Sequence, residues 1–395
     1  MPHTDTTSQA LEDVADHYEN PERAAREHKS NNGKVVGYLS NNVPVELIVA
    51  AGLFPVEIKG DPNKGTEAGD IYMEPFHDGH IRSIFSRALA GDFDFLDLLV
   101  IPRSSEGYLQ LYYYLLEAKK WQPELRLPEI HLFDLLQTPF WISGRYDRKQ
   151  IDSLKNKLTE IAAAPLGPDD VRRGIEAVNA SRARLERINS LRREFPPRIS
   201  GTDMLRLIRT SGFLDRFKYN ALLDTVLENS QAAPGIPGPR LMVKGTQHDS
   251  TEFYELLEGL GAVVVADDHF SGERSFEHPV ETHHDTDLEA LTRKYQQFSA
   301  SPRSYPQSDQ DARFMQIAKE AAVDAVIFYL EENDDTFGWD YPGQKRLLDE
   351  AGIPSLYLKY QPYFSPDHQA QRNEVTKFLR QIESATTPAF TQEMQ

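Results

Sequence analysis

"YLSNNVPVELIVAAGLFPVEIKG", residues 38–60, joins two apolar runs through a polar turn and a short helical pattern. The run "KVVGYLS" (34–40) is β-branched and ends at a hydroxyl, so it reads as a buried strand. In "VPVELIVAAG" (43–52), Pro44 suits a first helical turn and Gly52 a helix C-cap. "FPVEIKG" (54–60) is a second strand. Strand, turn, helix, strand is one βαβ unit, which pairs its strands in parallel.

The pattern continues outward. "FLDLLVIP" (95–102) and "EIHLFDL" (129–135) are strands, separated by the helical runs "GHIRSIFSRALAGD" (79–92) and "SEGYLQLYYYLLEAKKW" (105–121). From about 146 to 232 only helical periodicity stands out, and "SQAAPGIPGPR" (230–240) reads as a linker. Alternation then returns with "RLMVKG" (240–245), "AVVVAD" (262–267), "DAVIFYL" (324–330) and "PSLYLKY" (354–360) as strands. The expected fold is α/β, with two Rossmann-like or flavodoxin-like parallel-sheet domains joined by a helical segment. The expected division is a helical lead-in (1–33), a first α/β domain (34–145), a helical connector (146–232) and a second α/β domain (238–395).

Composition narrows the function. Of 395 residues, 39% are hydrophobic and 26% charged, enough for a substantial core. No apolar run reaches the ~18 residues of a membrane span. The first residues are polar and acidic, unlike a signal peptide, so a cytoplasmic protein is expected. With 61 acids against 43 bases, the net charge of −18 repels phosphate backbones, and no nucleic-acid partner is expected. One small phosphorylated ligand at a local site remains compatible. There is no cysteine, which excludes disulfides, zinc–thiolate sites, a cysteine nucleophile and a cluster held by this chain's thiolates. Neither G-x-G-x-x-G after a strand nor a Walker A sequence occurs, so neither a dinucleotide nor bound ATP is indicated.

Open parallel sheets bind ligands beyond the carboxyl ends of their strands. Those ends carry Ser40-Asn41-Asn42, Arg103-Ser104-Ser105-Glu106, Gly245-Thr246-Gln247, Asp267-Asp268 and Glu331 to Asp335. Each is also what a solvated turn or helix cap looks like. "EPFHDGHIRS" places Glu74, His77, Asp78 and His80 close together. His77 and His80 are weak metal candidates that would need Glu106 or Asp334 as further ligands, against a plain solvated loop. "ETHHD" (281–285) reads as surface. The aromatic helix "QLYYYLLEAKKW" (110–121) suits a core, a subunit interface or an acyl pocket.

Four stretches in order resemble the 2-hydroxyacyl-CoA dehydratase and benzoyl-CoA reductase family. "YLSNNVPVELIVAAGLFPV" is similar to its C-x-x-x-P-x-E-L-I-x-A-A-G-x-x-P turn, and "FLDLLVIPRSSEGY" to L-D-x-x-V-x-P-x-x-C-D. "RLMVKG" with "LLEGLGAVVVADDHFSGER", and "DAVIFYLEENDDTFGWDYPGQKRLLDEAGIPSLYLKY", resemble its later motifs. The resemblance runs from about residue 33 to 380. That family holds an iron–sulfur cluster on cysteines of these turns. Here the positions read Ser40, Ser105 and Asp334, and Asp78 stands where a further cysteine would. Oxygens are hard donors and poor substitutes for thiolate, so no [4Fe–4S] cluster is expected. Lys359 and Gln361 also replace acids of the pattern.

Dehydratases of the family remove water from 2-hydroxyacyl-CoA through a ketyl radical. They work as paired related subunits and take an electron from a separate ATP-hydrolysing activator. The resemblance implies a subunit with a CoA thioester in the cleft between its domains, paired with a relative or with itself. Three readings stay open: a cluster-less subunit, a stand-alone acyl-CoA enzyme using acid–base or oxyanion chemistry, and a non-catalytic binding or scaffold protein. Ser40, Glu57, Asp78, Ser105, Glu106 and Asp334 are the candidate catalytic residues. Asn41, Asn42, Arg103, Ser104, Gly245 and Arg274 are the candidate substrate or CoA contacts. Ser40 either faces the thioester or caps the helix after it.

Overall fold

The computed structural model describes residues 4–282, 286–298 and 305–386. Two four-stranded parallel sheets organise it. The first holds β1 (Val35–Tyr38), β2 (Phe54–Glu57), β3 (Leu98–Pro102) and β4 (Glu129–Phe133), in spatial order β2-β1-β3-β4. The second holds β5 (Arg240–Gly245), β6 (Val263–Asp268), β7 (Ala325–Glu331) and β8 (Ser355–Gln361), in order β6-β5-β7-β8. The α/β class and the paired parallel sheets are as the sequence implies. In each sheet the chain reverses its lateral course between the two central strands. In open parallel sheets such a switch point is where a ligand crevice forms, beyond the carboxyl ends.

Burial explains the sequence pattern. Strands β1, β3 and β5 are buried along their whole length, while edge strands β4 and β8 are partly exposed. A central parallel strand is covered on both faces, so it reads as a near-continuous apolar run. Each fully buried Val, Leu or Ile there contributes about 1.5–3 kcal/mol. Gly245 ends β5 with φ +131, and a Cβ on it would lie 2.1 Å from the Tyr329 carbonyl of β7. Only glycine lets the two central strands approach there.

Helices α1 (Thr4–Glu19) and α2 (Arg23–Ser30) precede β1. Helices α3 (Val45–Ala50), the short α4 (Glu67–Asp70), α5 (Gly79–Leu89) and α6 (Glu106–Trp121) cross between strands of the first sheet. The all-helical stretch comprises α7 (Trp141–Ala162), α8 (Pro168–Arg193), α9 (Gly201–Thr210) and α10 (Arg216–Ser230). Asp215 starts α10 by accepting from the Phe217 and Lys218 amides, which splits a run that reads as continuous. In the second half, α11 (Glu252–Gly259), α13 (Gln307–Glu320), α14 (Asp335–Ala351) and α15 (His368–Thr386) accompany the sheet.

Helix α12 (Asp287–Gln297) is the exception. It lies between β6 and α13 in the chain, yet Leu291 and Tyr295 join the core of the first sheet with Val43, Ile48 and Leu154. The Glu46 carboxylate, fully buried on α3, accepts from the Tyr295 hydroxyl at 2.8 Å and pairs with Arg182 of α8 at 2.7 Å. Burial pushes this carboxyl up, but the Arg182 charge and these bonds hold it below the usual range. The glutamate of "VPVELI" is therefore a strut that locks the halves together. Among the described residues no helix is long and apolar enough to cross a membrane.

Candidate functional site

The β1 end is built unusually. Ser40 is buried and left-handed at φ 59, a conformation that costs a non-glycine residue about 1–2 kcal/mol. Helix α3 begins at Val45 behind Pro44 and has no side-chain cap, so Ser40 does not cap it. The Ser40 hydroxyl lies 3.4 Å from Asn41 Oδ1, and Asn41 Nδ2 donates to the Phe270 carbonyl at 2.9 Å. That bond ties the first sheet's turn to the loop after β6. Asn42 is buried beside it.

The β3 end behaves differently. Ser105 is the N-cap of α6 and accepts from the Tyr108 amide at 3.3 Å, so the helix-cap alternative holds for it. Ser104 is buried, and Glu106 opens the helix. Asp78 precedes α5 and approaches the same turn: a Cβ on Gly107 would sit 3.2 Å from its carboxylate. Arg103 is half-buried, with Nη1 3.4 Å from Asp134 and no partner for Nε.

The second sheet supplies carboxyl groups. Asp334 caps α14, accepting from the Phe337 amide at 3.3 Å and from Thr246 Oγ1 at 2.5 Å, and burial raises its pKa. Glu331, at the end of β7, is pushed well above the usual range by burial and then by the charges of Asp249, Asp334 and Asp78. Its carboxyl is thereby biased towards the neutral form. Arg274 is buried and bonded to Asp268 and Gln310, so its guanidinium does not face an open cleft. Glu57 pairs with Arg209 at 2.8 Å.

Between the sheets lies a cluster that the strand-end reading misses, because that reading stops at Gln247, just short of Asp249. Buried Asp249 contacts His80 Nδ1 at 2.5 Å and accepts from the Tyr363 hydroxyl at 2.7 Å, while Arg209 lies 3.5 Å away. His80 Nε2 reaches the Tyr108 hydroxyl at 3.0 Å. The Asp249 carbonyl accepts from Tyr18 at 3.2 Å and Lys59 at 3.3 Å. Burial pushes the Asp249 carboxyl up, but the charge and hydrogen bond of His80, with Arg209 and Tyr363, hold it well below the carboxylate range. Beside Asp249 opens a groove of about 1100 Å³ bounded by α1, α2 and residues 59–64. Lys59 lies on its wall, its pKa lowered to about 8 chiefly by burial. Gly245 has a packing reason of its own, the close approach of the Tyr329 carbonyl.

The histidines part company. Helix α5 starts at Gly79, so His77 lies outside it, against Glu74 at 3.4 Å and the Tyr114 ring, while His80 faces Asp249. Among the described residues no group of three or more His, Asp or Glu side chains could hold a metal ion. His283, His284 and Asp285 lie outside the described residues. The donors at Ser40, Ser105 and Asp334 are oxygens, and two of them already cap helices. They do not fit a group held by soft thiolates. The acid–base groups gathered here are Glu331, with its raised pKa, and the hydrogen-bonded set Asp249, His80, Tyr108 and Tyr363.

Comparison with known proteins agrees with this architecture. The chain is 22% identical over 353 residues to the (R)-phenyllactyl-CoA dehydratase beta subunit of Clostridium sporogenes, covering 88% of this chain and 92% of that one. It is 22% identical to the beta subunit of (R)-2-hydroxyglutaryl-CoA dehydratase of Acidaminococcus fermentans, covering 86% and 90%. It is 23% identical to a benzoyl-CoA reductase subunit of Thauera aromatica, covering 83% and 85%. The family model for the 2-hydroxyglutaryl-CoA dehydratase D-component matches residues 40–382, and the chain belongs to that family.

Proposed function

We propose that this chain is a 2-hydroxyacyl-CoA dehydratase-like subunit that binds a CoA thioester in the crevice between the sheets and carries no iron–sulfur cluster of its own. The observation that carries the reading is the chemistry of the turns: Ser40, Ser105 and Asp334 present oxygens around the paired crevices, in a chain without cysteine. Ser40, freed from capping and strained, holds the thioester carbonyl or a substrate hydroxyl. Arg103, with an unpartnered Nε, meets a phosphate, and the groove beside Asp249 has room for the nucleotide.

The cluster then comes from a related, cysteine-bearing subunit. The relatives are themselves named as subunits of larger enzymes, which supports pairing. So does an apolar hollow of about 320 Å³ at α6, where Tyr113 and Trp121 stay 56% and 81% exposed. The test is metal analysis of the chain purified without oxygen, alone and with a co-encoded relative. The chain alone should be colourless, without iron or acid-labile sulfide, and should form a complex with the relative. Stoichiometric iron and sulfide in the chain alone would overturn the reading.

The raised pKa of Glu331, at the end of β7 and near Asp249, favours a second reading, a stand-alone acyl-CoA enzyme with Glu331 as general acid. Turnover of a thioester by the isolated chain, lost in Glu331→Gln, would select it.

A further inference from the structure

A cavity of about 70 Å³ lies behind the Ser40 turn, against α8, α9 and α10. Three buried guanidinium groups line it: Arg182, Arg209 and Arg216. Two are neutralised. Arg182 pairs with Glu46, and Arg209 with Glu57 and, at 3.5 Å, Asp249. Glu57 also lines the cavity, but its carboxylate is the one bonded to Arg209.

Arg216 is different. It is only 5% exposed, and among the described residues it forms no ion pair. Its Nη2 donates to the Ser211 carbonyl at 3.1 Å and its Nη1 reaches Ser181 Oγ at 3.4 Å, while Nε has no partner. Arg209 Nε, on the same wall, also has none. A buried cation without a counter-charge is costly, and with Arg182 on Glu46 and Arg209 on Glu57, Arg216 is the lining arginine left without a carboxylate. The rest of the lining is mixed: Val45, Val178 and Leu185 are apolar, while Ser40, Asn41 and Ser271 are polar.

We propose that this cavity is a binding site for a short aliphatic monocarboxylate, held by Arg216 through its carboxylate with the alkyl tail on the valine and leucine side. The guanidinium fork matches a carboxylate in two parallel hydrogen bonds. Volume sets the length: at ~10–15 Å³ for each water-sized group, the space takes roughly five to seven non-hydrogen atoms, so an acid of about three to five carbons fits. Inorganic phosphate, largely a dianion at neutral pH, would bury a second negative charge that one unpaired guanidinium does not balance. The cavity shares Ser40 and Asn41 with the turn assigned to the thioester, but the carboxylate contact is to Arg216 at the start of α10 and does not require that assignment.

Thermal unfolding at fixed ionic strength tests it, with propionate, inorganic phosphate and the bulky carboxylate gluconate as probes. Propionate should raise the melting temperature of the wild-type chain in a saturable way, whereas phosphate and gluconate should not. Arg216→Gln should weaken propionate binding about tenfold or more, as expected for loss of a charge-assisted pair. Equal shifts with all three probes, or an unchanged propionate response in Arg216→Gln, would overturn the proposal. If Arg216→Gln does not fold, crystals soaked in 3-bromopropionate decide: anomalous bromine density inside the cavity supports the site, and its absence overturns it.

Discussion

The two sheets share one strand order, yet their carboxyl ends are used in opposite ways. At the end of β6, the acids are bolted down. Asp267 pairs with Arg192 at 2.8 Å, and Asp268 pairs with Lys244 at 2.7 Å and also with Arg274 and Arg313. These carboxylates are fully buried and fully opposed by cations, so they hold the sheet end together. At the end of β1, Ser40, Asn41 and Asn42 are uncharged, and Ser40 is strained and unneeded for capping. Charge at a strand end is thus a poor guide to chemistry in this molecule. Under the proposed function, the groups left for chemistry are those whose neighbours do not neutralise them: Ser40 on one sheet and Glu331 on the other.

The comparison breaks most visibly if a bolt is removed. Arg192→Met strips the cation from buried Asp267 and Glu273, and should cost about 3–5 kcal/mol in chemical denaturation. A change under about 1 kcal/mol would deny the structural role of the β6 end.

Asp249→Asn comes next. It removes a charged acceptor from His80, Tyr363 and Arg209 and should cost about 1.5–3 kcal/mol. Because the folded carboxyl sits below its unfolded value, its share of stability is present above the ordinary aspartate range and drains away as pH falls through the folded pKa. The variant should therefore lose stability at neutral pH and show a flatter acid limb in melting temperature against pH.

Glu331→Gln should act in the opposite direction, and more weakly. The folded pKa of Glu331 is raised, so the stability of its neutral form is full below the ordinary glutamate range and is lost as pH rises towards the folded value. The amide cannot ionise, so the variant should match wild type in acid and exceed it at neutral to alkaline pH. Equal melting curves across that range would show that Glu331 is not held neutral.

The smallest effect belongs to the turn. Ser40→Gly relieves a left-handed serine but adds freedom to the unfolded chain, for a net change of about 0.5 kcal/mol or less. If the hydroxyl holds substrate, the same variant loses turnover in the assembled enzyme.

How much of this was legible follows from the range of the forces. The central strands β1, β3, β5 and β7 could be read directly, because a strand covered on both faces must be apolar along its length. The place of the Ser40 turn followed from the βαβ pattern. Its left-handed backbone did not, since no glycine marks it. Helix α12 could not be placed, because Leu291 and Tyr295 find their partners in a core built mostly from distant sequence. The role of Glu46 was hidden for the same reason: Arg182 and Tyr295 meet it only in the fold. The Asp249 cluster draws on α5, α6, α9 and the segment after β8, and no local spacing announces such a meeting.

The most direct test of the account is calorimetry with an unreactive acyl-CoA analogue, on the chain alone and on its complex with a cysteine-bearing relative. The account predicts binding tighter than about 1 mM in at least the complex. It also predicts roughly tenfold weakening in Arg103→Ala and near-unchanged affinity in Ser40→Ala, because the arginine meets phosphate and the serine meets the acyl end. Absence of binding at millimolar analogue in both preparations would contradict it, and a non-catalytic scaffold would take its place.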